Sequence, residues 1–502
     1  MRMAVLELLP SDPQVYIRNT GSEGLAAFKE LHEAGKVPAC VELRTRVKGI
    51  PSPMHIPLRR RDHNTTTTTT TTVKKPIPVS AVAVYHFYAM QKRVGTGDWT
   101  DFWAPLLTRI RFVWDGALTE TPRSFPSDAS SPRFIHVELC GFESVTCVQD
   151  GFMDSAKKLK HIDITSLCKV QTIHSQFLAS CLKLQSVDLS PLLNVTSIGS
   201  DFMSKCETLV AVDLSALRNV TVIGNNFLKE CNQITSLTLK PLSKLTAVGS
   251  AFLQQCSSLT TIEMFPTTSS VNNNNNNTFD AATATITIKE IGINFLFLCY
   301  SLKFISLSSL SNLTSIPDNF LSVCAENLVE VDTSPLVNVT TVGRCFLHRC
   351  KHLQSVNLSG LRNVTKIGAY FMFAVSGLKC IDLHPLGNIT KISNNFLNDC
   401  TGLTSLDTSP LKNVTSVKDN FLSNCESLTT INLSGFENVI TIGKLFMSRT
   451  IMLQYVDLSK LVSLTSIGAE YFRECTSLQS VDLTQLNNIN TATGTPTQTI
   501  TL

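Results

Sequence analysis

The sequence predicts a solenoid, a chain wound into about 13 stacked coils whose short strands pair in parallel. Three observations predict it. A 25-residue pattern recurs from Phe134 to Asn488, with units opening at Phe134, Leu159, Leu184, Leu209, Ile234, Leu259, Leu302, Leu328, Leu353, Leu378, Leu403, Leu428, Leu453 and, incompletely, Leu478. Positions 1, 4, 6, 9, 12 and 15 of the units are mostly Leu, Val or Ile, and the alternation at 4 and 6 is that of a half-buried strand. Position 19 is aromatic in all thirteen full units, from Phe152 to Tyr471. A residue that recurs once per coil stacks on its own equivalents, so these positions become continuous apolar columns.

The unit Leu209–Gln233, LVAVDLSALRNVTVIGNNFLKECNQ, shows the pattern most cleanly. Two units depart from it. The one at Leu302 is a residue longer, at Cys324–Leu328. The one at Leu259 carries an extra 18 residues, including six consecutive Asn from Asn272 to Asn277. This Asn/Thr-rich insertion, about 266–287, is expected to loop out disordered, since lengthening a surface loop costs little.

The segments before the repeats are read in chain order. Residues 1–50 form a region of unknown fold, with a helix expected over Glu23–Lys36 and a strand over Val41–Val47. Residues 51–77 hold four prolines, Arg59–Arg61 and eight Thr from Thr65 to Thr72, a composition that cannot bury apolar surface and reads as a disordered linker. Residues 78–133 read as an N-terminal cap. Val79–Met90 is its most strand-like or buried-helix-like piece, and Leu107–Pro132 opens with the spacing of a degenerate first coil. Residues 489–502 are a Thr-rich flexible tail.

Composition excludes some function classes. Hydrophobic residues make up 43% and charged residues 16%, enough for a sizeable core. The net charge of +4 divides into +6 for residues 1–133 and −2 for the rest, too small an asymmetry to predict a nucleic-acid partner. Ala4–Leu9 is interrupted by Glu7 and stopped by Pro10, too short for a secretory core, and no apolar run approaches the roughly 20 residues of a membrane span. The chain is therefore expected to be cytoplasmic, with a cell-surface location as the alternative if the true N-terminus carries a missed signal.

Three polar columns accompany the apolar ones. Position 23 is Cys in ten units, replaced by Ala156, Val375 and Thr450 in the others. Parallel-stacked side chains lie one strand spacing apart and point the same way, which suits neither a disulfide nor a zinc tetrahedron, so a column of small, buried, reduced thiols is expected. Position 11 is Asn in nine units and begins a sequon in seven, among them Asn194, Asn363 and Asn413. These Asn are expected to close a turn by bonding their own backbone, with glycosylation along one ridge as the alternative. Position 5 is acidic in ten of fourteen units and points outward. Asp163, Asp188, Asp213, Asp332, Asp382, Asp407, Asp457 and Asp482 are the candidate partner-binding residues: stacked carboxylates repel, which stability alone would not select. The alternative is a solvated face on which each Asp bonds the Ser at position 7.

The run Asn-Val-Thr-x-Ile-Gly-x-x-Phe-x-x-x-Cys-x-x-Leu, as in Asn219–Ile234, resembles the BspA-like leucine-rich-repeat family over about 134–488. The resemblance implies a leucine-rich-repeat solenoid with a parallel β-sheet on a concave face and short helical or 3-10 turns on the convex side, preceded by a small mixed N-terminal region. It also implies an interaction protein or a cell-surface protein. No P-loop, dinucleotide fingerprint, zinc-protease motif or nucleophile elbow is present, and no cofactor or metal is expected. His348-Arg-Cys350-Lys-His352 has metal-like spacing, and His136 with His161 shares position 3 beside Glu138 and Asp163. The function expected is a non-enzymatic protein-interaction scaffold using outward positions 2, 3, 5 and 7. An adhesin-like surface protein is the alternative, and an enzyme in residues 1–133 a further one.

Overall fold

The computed structural model describes residues 135–265, 288–324 and 327–482, with shorter stretches at 6–8, 15–17, 40–44, 82–88, 109–115, 119–121 and 123–125. The expected helix at Glu23–Lys36, the linker 51–77, the insertion at 266–287 and the tail lie outside the described residues. The chain divides into two compact units, one of residues 1–195 with 205–216 and one of 196–204 with 217–502.

In the first unit, five strands lie side by side in parallel: Cys40–Arg44, Val82–Tyr88, Arg109–Asp115, His136–Cys140 and His161–Asp163. Register carries the repeat phase backward out of the regular units. Ile110 lies level with Val137 and Phe112 with Leu139, which aligns Arg109–Val113 with positions 3–7 of the next unit. Phe125, which is position 19 in the same phase, stacks on Phe152 at 5.5 Å, and Phe152 on Phe177 at 5.3 Å. A second, two-residue strand per coil pairs Cys147–Val148 with Thr172–Ile173. A separate antiparallel hairpin joins Leu6–Leu8 to Val15–Ile17.

The second unit repeats one coil design. A first strand at positions 3–5, as in Thr261–Glu263, Glu330–Asp332, Ser355–Asn357, Ser405–Asp407 and Thr430–Asn432, turns position 4 inward, buried in three of these and half-buried at Val356 and Ile431, and exposes positions 3 and 5. A 3-10 turn follows at positions 7–9 in several coils, such as Ser359–Leu361 and His384–Leu386; among the described residues no α-helix is present. A second strand at positions 14–15 pairs in parallel with its neighbours, Ser197–Ile198 with Val222–Ile223 and then Ala247–Val248. Gly at position 16 lets coils close up there: a Cβ on Gly249 would sit 2.4 Å from the Gly224 carbonyl carbon.

The third side is neither strand nor helix. Positions 18, 20 and 22 have positive φ in coil after coil, as at Asn226 (61°), Leu228 (50°) and Glu230 (60°). The sequence demands this. Phe227, Leu228 and Cys231 are all fully buried, whereas neighbours in a strand point to opposite faces. Left-handed φ at Asn226, Leu228 and Glu230, alternating with ordinary φ at the residues between, turns these side chains inward, at roughly 1–2 kcal/mol per left-handed residue. Inter-coil hydrogen bonds run both ways to hold it: Asn226 N–H to the Ser250 carbonyl (2.8 Å), Leu228 N–H to Phe202 (3.0 Å) and Glu230 N–H to Gln254 (2.8 Å). Burial of Phe and Leu, at roughly 1.5–3 kcal/mol each, outweighs the strain. The Phe column stacks from Phe202 to Phe446, with Phe202, Phe227, Phe252 and Phe295 at 5.2–5.6 Å between centroids, and Phe472 then meets Phe446 edge-on.

The thiol column has a hydrogen-bonding job that composition does not reveal. Cys231 Sγ lies 3.2 Å from the carbonyl oxygen of Met203, position 20 of the coil before, and Cys256 lies 3.1 Å from that of Leu228. Cys299, Cys324, Cys350, Cys400 and Cys425 repeat the contact at 3.1–3.3 Å. The S–H donates to a buried carbonyl that would otherwise be underserved. Burial pushes the thiols of Cys256, Cys350 and Cys400 up to about 12.

Candidate partner-binding face

The first strand and the turn after it fix the acidic column. Asp163 Oδ1 accepts the backbone N–H of Thr165, Asp188 that of Ser190 and Asp213 that of Ser215, each at 2.9 Å. Asp332, Asp382, Asp407 and Asp457 do the same toward Ser334, His384, Ser409 and Ser459 at 2.8–2.9 Å. Asp is thus selected because a side-chain acceptor two residues before an N–H closes the turn out of the strand. The partner is the N–H at position 7, not chiefly the hydroxyl. Backbone donation from Ser190 holds the Asp188 carboxyl below its ordinary range, and that from His384 lowers Asp382; for Asp457 the Ser459 hydroxyl leads.

The turn bond uses one oxygen, so most of these carboxylates keep a charge turned to solvent. Asp163, Asp188 and Asp213 are exposed in the first unit, and Asp332, Asp382 and Asp407 in the second; Asp457 is half-buried. Asp482 is level with Asp457 in the strand pair Tyr455–Asp457 and Ser480–Asp482. Asp332 and Asp407 are more fully engaged. Each takes a second bond from its Ser hydroxyl (2.8 and 2.9 Å) and a third from an Asn amide one coil on, Asn357 at 2.9 Å and Asn432 at 2.8 Å. Alternating Asp with Asn replaces a like-charge neighbour with a donor.

The same face carries large apolar side chains that no periodicity singles out. Phe304, at position 3, is 64% exposed, and Val329, at position 2 of the next coil, is 44% exposed. Glu330 and Asp332 follow on the same strand, also exposed. Tyr455, again at position 3, is 55% exposed. Position 3 is otherwise mostly Ser, Thr or His, so the aromatic exceptions were the available signal.

Other sequence candidates resolve differently. The Asn column does not close its own turn: Asn363 Nδ2 donates to the carbonyl of Val337, Asn388 to Arg362 and Asn413 to Gly387, all at position 10 of the preceding coil, at 2.8–2.9 Å. This amide nitrogen is also the atom that an N-linked glycan would need. His136 and His161 stack face to face at 4.9 Å and 12°, an arrangement that directs ring nitrogens alongside one another rather than at one point. Among the described residues no three His, Cys, Asp or Glu converge as a metal site. Cys350 points into the thiol column, while His348 stacks on Phe373 at 5.2 Å and is lowered to about 4 by burial and Arg349. Among the described residues, no helix is long and apolar enough to cross a membrane.

Comparison with known proteins agrees with this architecture. The family described as BspA type leucine rich repeat region matches in six copies, over residues 146–286, 274–404 and 390–494. No curated protein sequence matches. Among solved structures, a leucine-rich repeat protein from Bacteroides ovatus is 17% identical, with a TM-score of 0.39, covering 72% of this chain and 76% of its own. A leucine rich cell surface protein from Faecalibacterium prausnitzii is 17% identical, with a TM-score of 0.37, covering 77% and 91%. The functional domain of InlJ from Listeria monocytogenes, described as including a cysteine ladder, is 14% identical, with a TM-score of 0.32, covering 66% and 74%.

Proposed function

The chain belongs to the BspA-type leucine-rich-repeat family, and from that premise we propose that it is a non-enzymatic scaffold that binds a protein partner on the outward face of its first strands. The observation that carries this reading is Phe304, 64% exposed at a parallel bridge to Thr261 and followed one coil on by Val329, Glu330 and Asp332. A large aromatic held in water beside carboxylates suits a partner segment that brings an apolar side chain and basic neighbours. The exposed carboxylates of Asp163, Asp188 and Asp213 suit the same partner chemistry in the first unit. Charges of this kind chiefly steer and select, while the apolar anchor supplies most of the affinity. The reading sets the chain in a reducing cytoplasm, which suits thiols that each donate to a carbonyl.

The test uses the full chain as bait, beside Phe304→Ser and the pair Asp188→Asn with Asp213→Asn. The expected result is a captured protein lost on Phe304→Ser and released from the wild type by salt. Equal capture by all three, insensitive to salt, refutes the assignment of this face. A mobility shift on glycosidase treatment of the native protein would refute the cytoplasmic setting.

A further inference from the structure

We propose a second, independent site: a groove on the turn side of the second unit that binds a neutral saccharide. Positions 21 and 22 of successive coils line a groove of about 380 Å³, among them Phe373, Asn398, Asp399, Asn424, Arg449 and Glu474. That volume lies in the roughly 300–1,000 Å³ range of small-molecule clefts.

Its electrostatics exclude a simple anion site. Arg449 pairs with Glu474 at 3.3 Å, and Arg473, also on the groove wall, pairs with Glu474 at 3.1 Å and with Glu470. The guanidinium charges are already matched, and Asp399 adds another negative group. Unused guanidinium N–H donors and carboxylate acceptors alternate along the wall, which suits a ligand whose groups both donate and accept.

Asn424 fixes the groove wall. Its Nδ2 donates to Asp399 Oδ1 at 3.0 Å. A carboxylate only accepts, so the amide cannot be turned over, and Oδ1 is fixed on the other side. That oxygen is shielded from solvent and takes no hydrogen bond from the protein. With no accessible surface that oxygen is not reached from the open groove, so Asn424 serves to hold the Asp399 carboxylate in the groove wall and does not itself meet the ligand.

Phe373 gives the site an apolar wall. One side of its ring is covered by His348 at 5.2 Å and 20°, and Tyr370 meets it edge-on at 5.6 Å. His348 stays neutral at neutral pH, because burial and Arg349 lower it to about 4, so the stack behind Phe373 carries no charge. A sugar ring matches this combination: hydroxyls that donate to the Asp399 and Glu474 carboxylates and accept from Arg449, and a C–H face for the half-buried Phe373.

The full-length protein is titrated calorimetrically with maltose, cellobiose, lactose and N,N′-diacetylchitobiose, and separately with inorganic phosphate. At least one disaccharide is expected to bind. Phe373→Ser and Arg449→Met should each weaken it at least about tenfold, the loss of one good contact, while Phe304→Ser leaves it unchanged. Phe373→Tyr, which keeps the ring, should retain binding, and far-UV circular dichroism verifies that each variant is folded. Failure of all four sugars, binding unaltered in both groove variants, or phosphate binding in place of sugar overturns the proposal.

Discussion

Asp213→Asn is expected to stabilise the protein, although it alters a position where acid predominates. The Asp213 carboxylate accepts the Ser215 N–H at 2.9 Å, and Asp188, one coil before, accepts Ser190 in the same way. The two coils are tied by Val210 N–H to the Gln185 carbonyl at 3.1 Å. At one strand spacing, about 4.8 Å, two carboxylates in water repel by about 0.9 kcal/mol. The protein itself contains the alternative. Asn357 accepts the Ser359 N–H at 3.0 Å, so the turn is kept, and its Nδ2 donates to Asp332 at 2.9 Å. Asn432 repeats the arrangement toward Ser434 and Asp407. Asp213→Asn should therefore keep the turn bond, remove the repulsion and add an amide donor to Asp188, a gain of about 1–2 kcal/mol. Asp213→Ala also removes the repulsion but loses the turn bond, about 1 kcal/mol, and should come out near neutral. Urea unfolding followed by circular dichroism measures both. In ~1 M salt, where the screening length is about 3 Å, each variant should lose its electrostatic advantage over wild type, while the gap between Asn and Ala persists. An Asn variant no more stable than the Ala variant would refute the reasoning.

Three further outcomes follow from the same geometry. Iodoacetamide at neutral pH should label exposed Cys168 and Cys380 in the native protein, whereas Cys256, Cys350 and Cys400, pushed up to about 12, should react only after denaturation; labelling of the column at the rate of the exposed pair would count against it. Gly249→Ala should cost about 3 kcal/mol, since its Cβ would strike Gly224 backbone at 2.4 Å, whereas Gly387→Ala, whose nearest atom is the Pro410 carbonyl oxygen at 3.2 Å, should cost far less; equal urea midpoints would contradict this. Asp188, Asp382 and Asp457 have folded-state carboxyls lowered by their turn donors, so their contribution is complete above the ordinary carboxyl value near ~3.9 and is lost as pH falls through the lowered values. Stability measured against pH should fall across that window less steeply in Asp457→Asn than in wild type.

The columns were legible because register in a solenoid is dictated by the repeat itself. Phe227, Leu209 and Leu214 each recur one coil away, and recurrence at a fixed spacing makes burial readable without coordinates. The acidic column was legible as a pattern, but its cause was not. The choice between a partner-facing charge and a turn acceptor depends on where the N–H of Ser190 points, a backbone direction that spacing does not encode. Asn363 shows the same limit: sequence suggested a local turn bond, while its amide reaches the Val337 carbonyl in the neighbouring coil.

By itself the sequence determined the family, the coil length, the apolar columns and which residues stack, because each follows from periodicity and the chemistry of side chains. Tertiary structure alone decided how the third side is built and what the polar columns do. Burial of both Phe227 and Leu228 forces alternate left-handed residues, and only that backbone leaves the position-20 carbonyls facing the thiols of the next coil. Likewise Asn424 acquires an unpaired oxygen only because Asp399, one coil earlier, holds the other end of its amide. Such bonds join residues about one coil apart in sequence but a single strand spacing apart in space, and their geometry exists only once the coils are stacked.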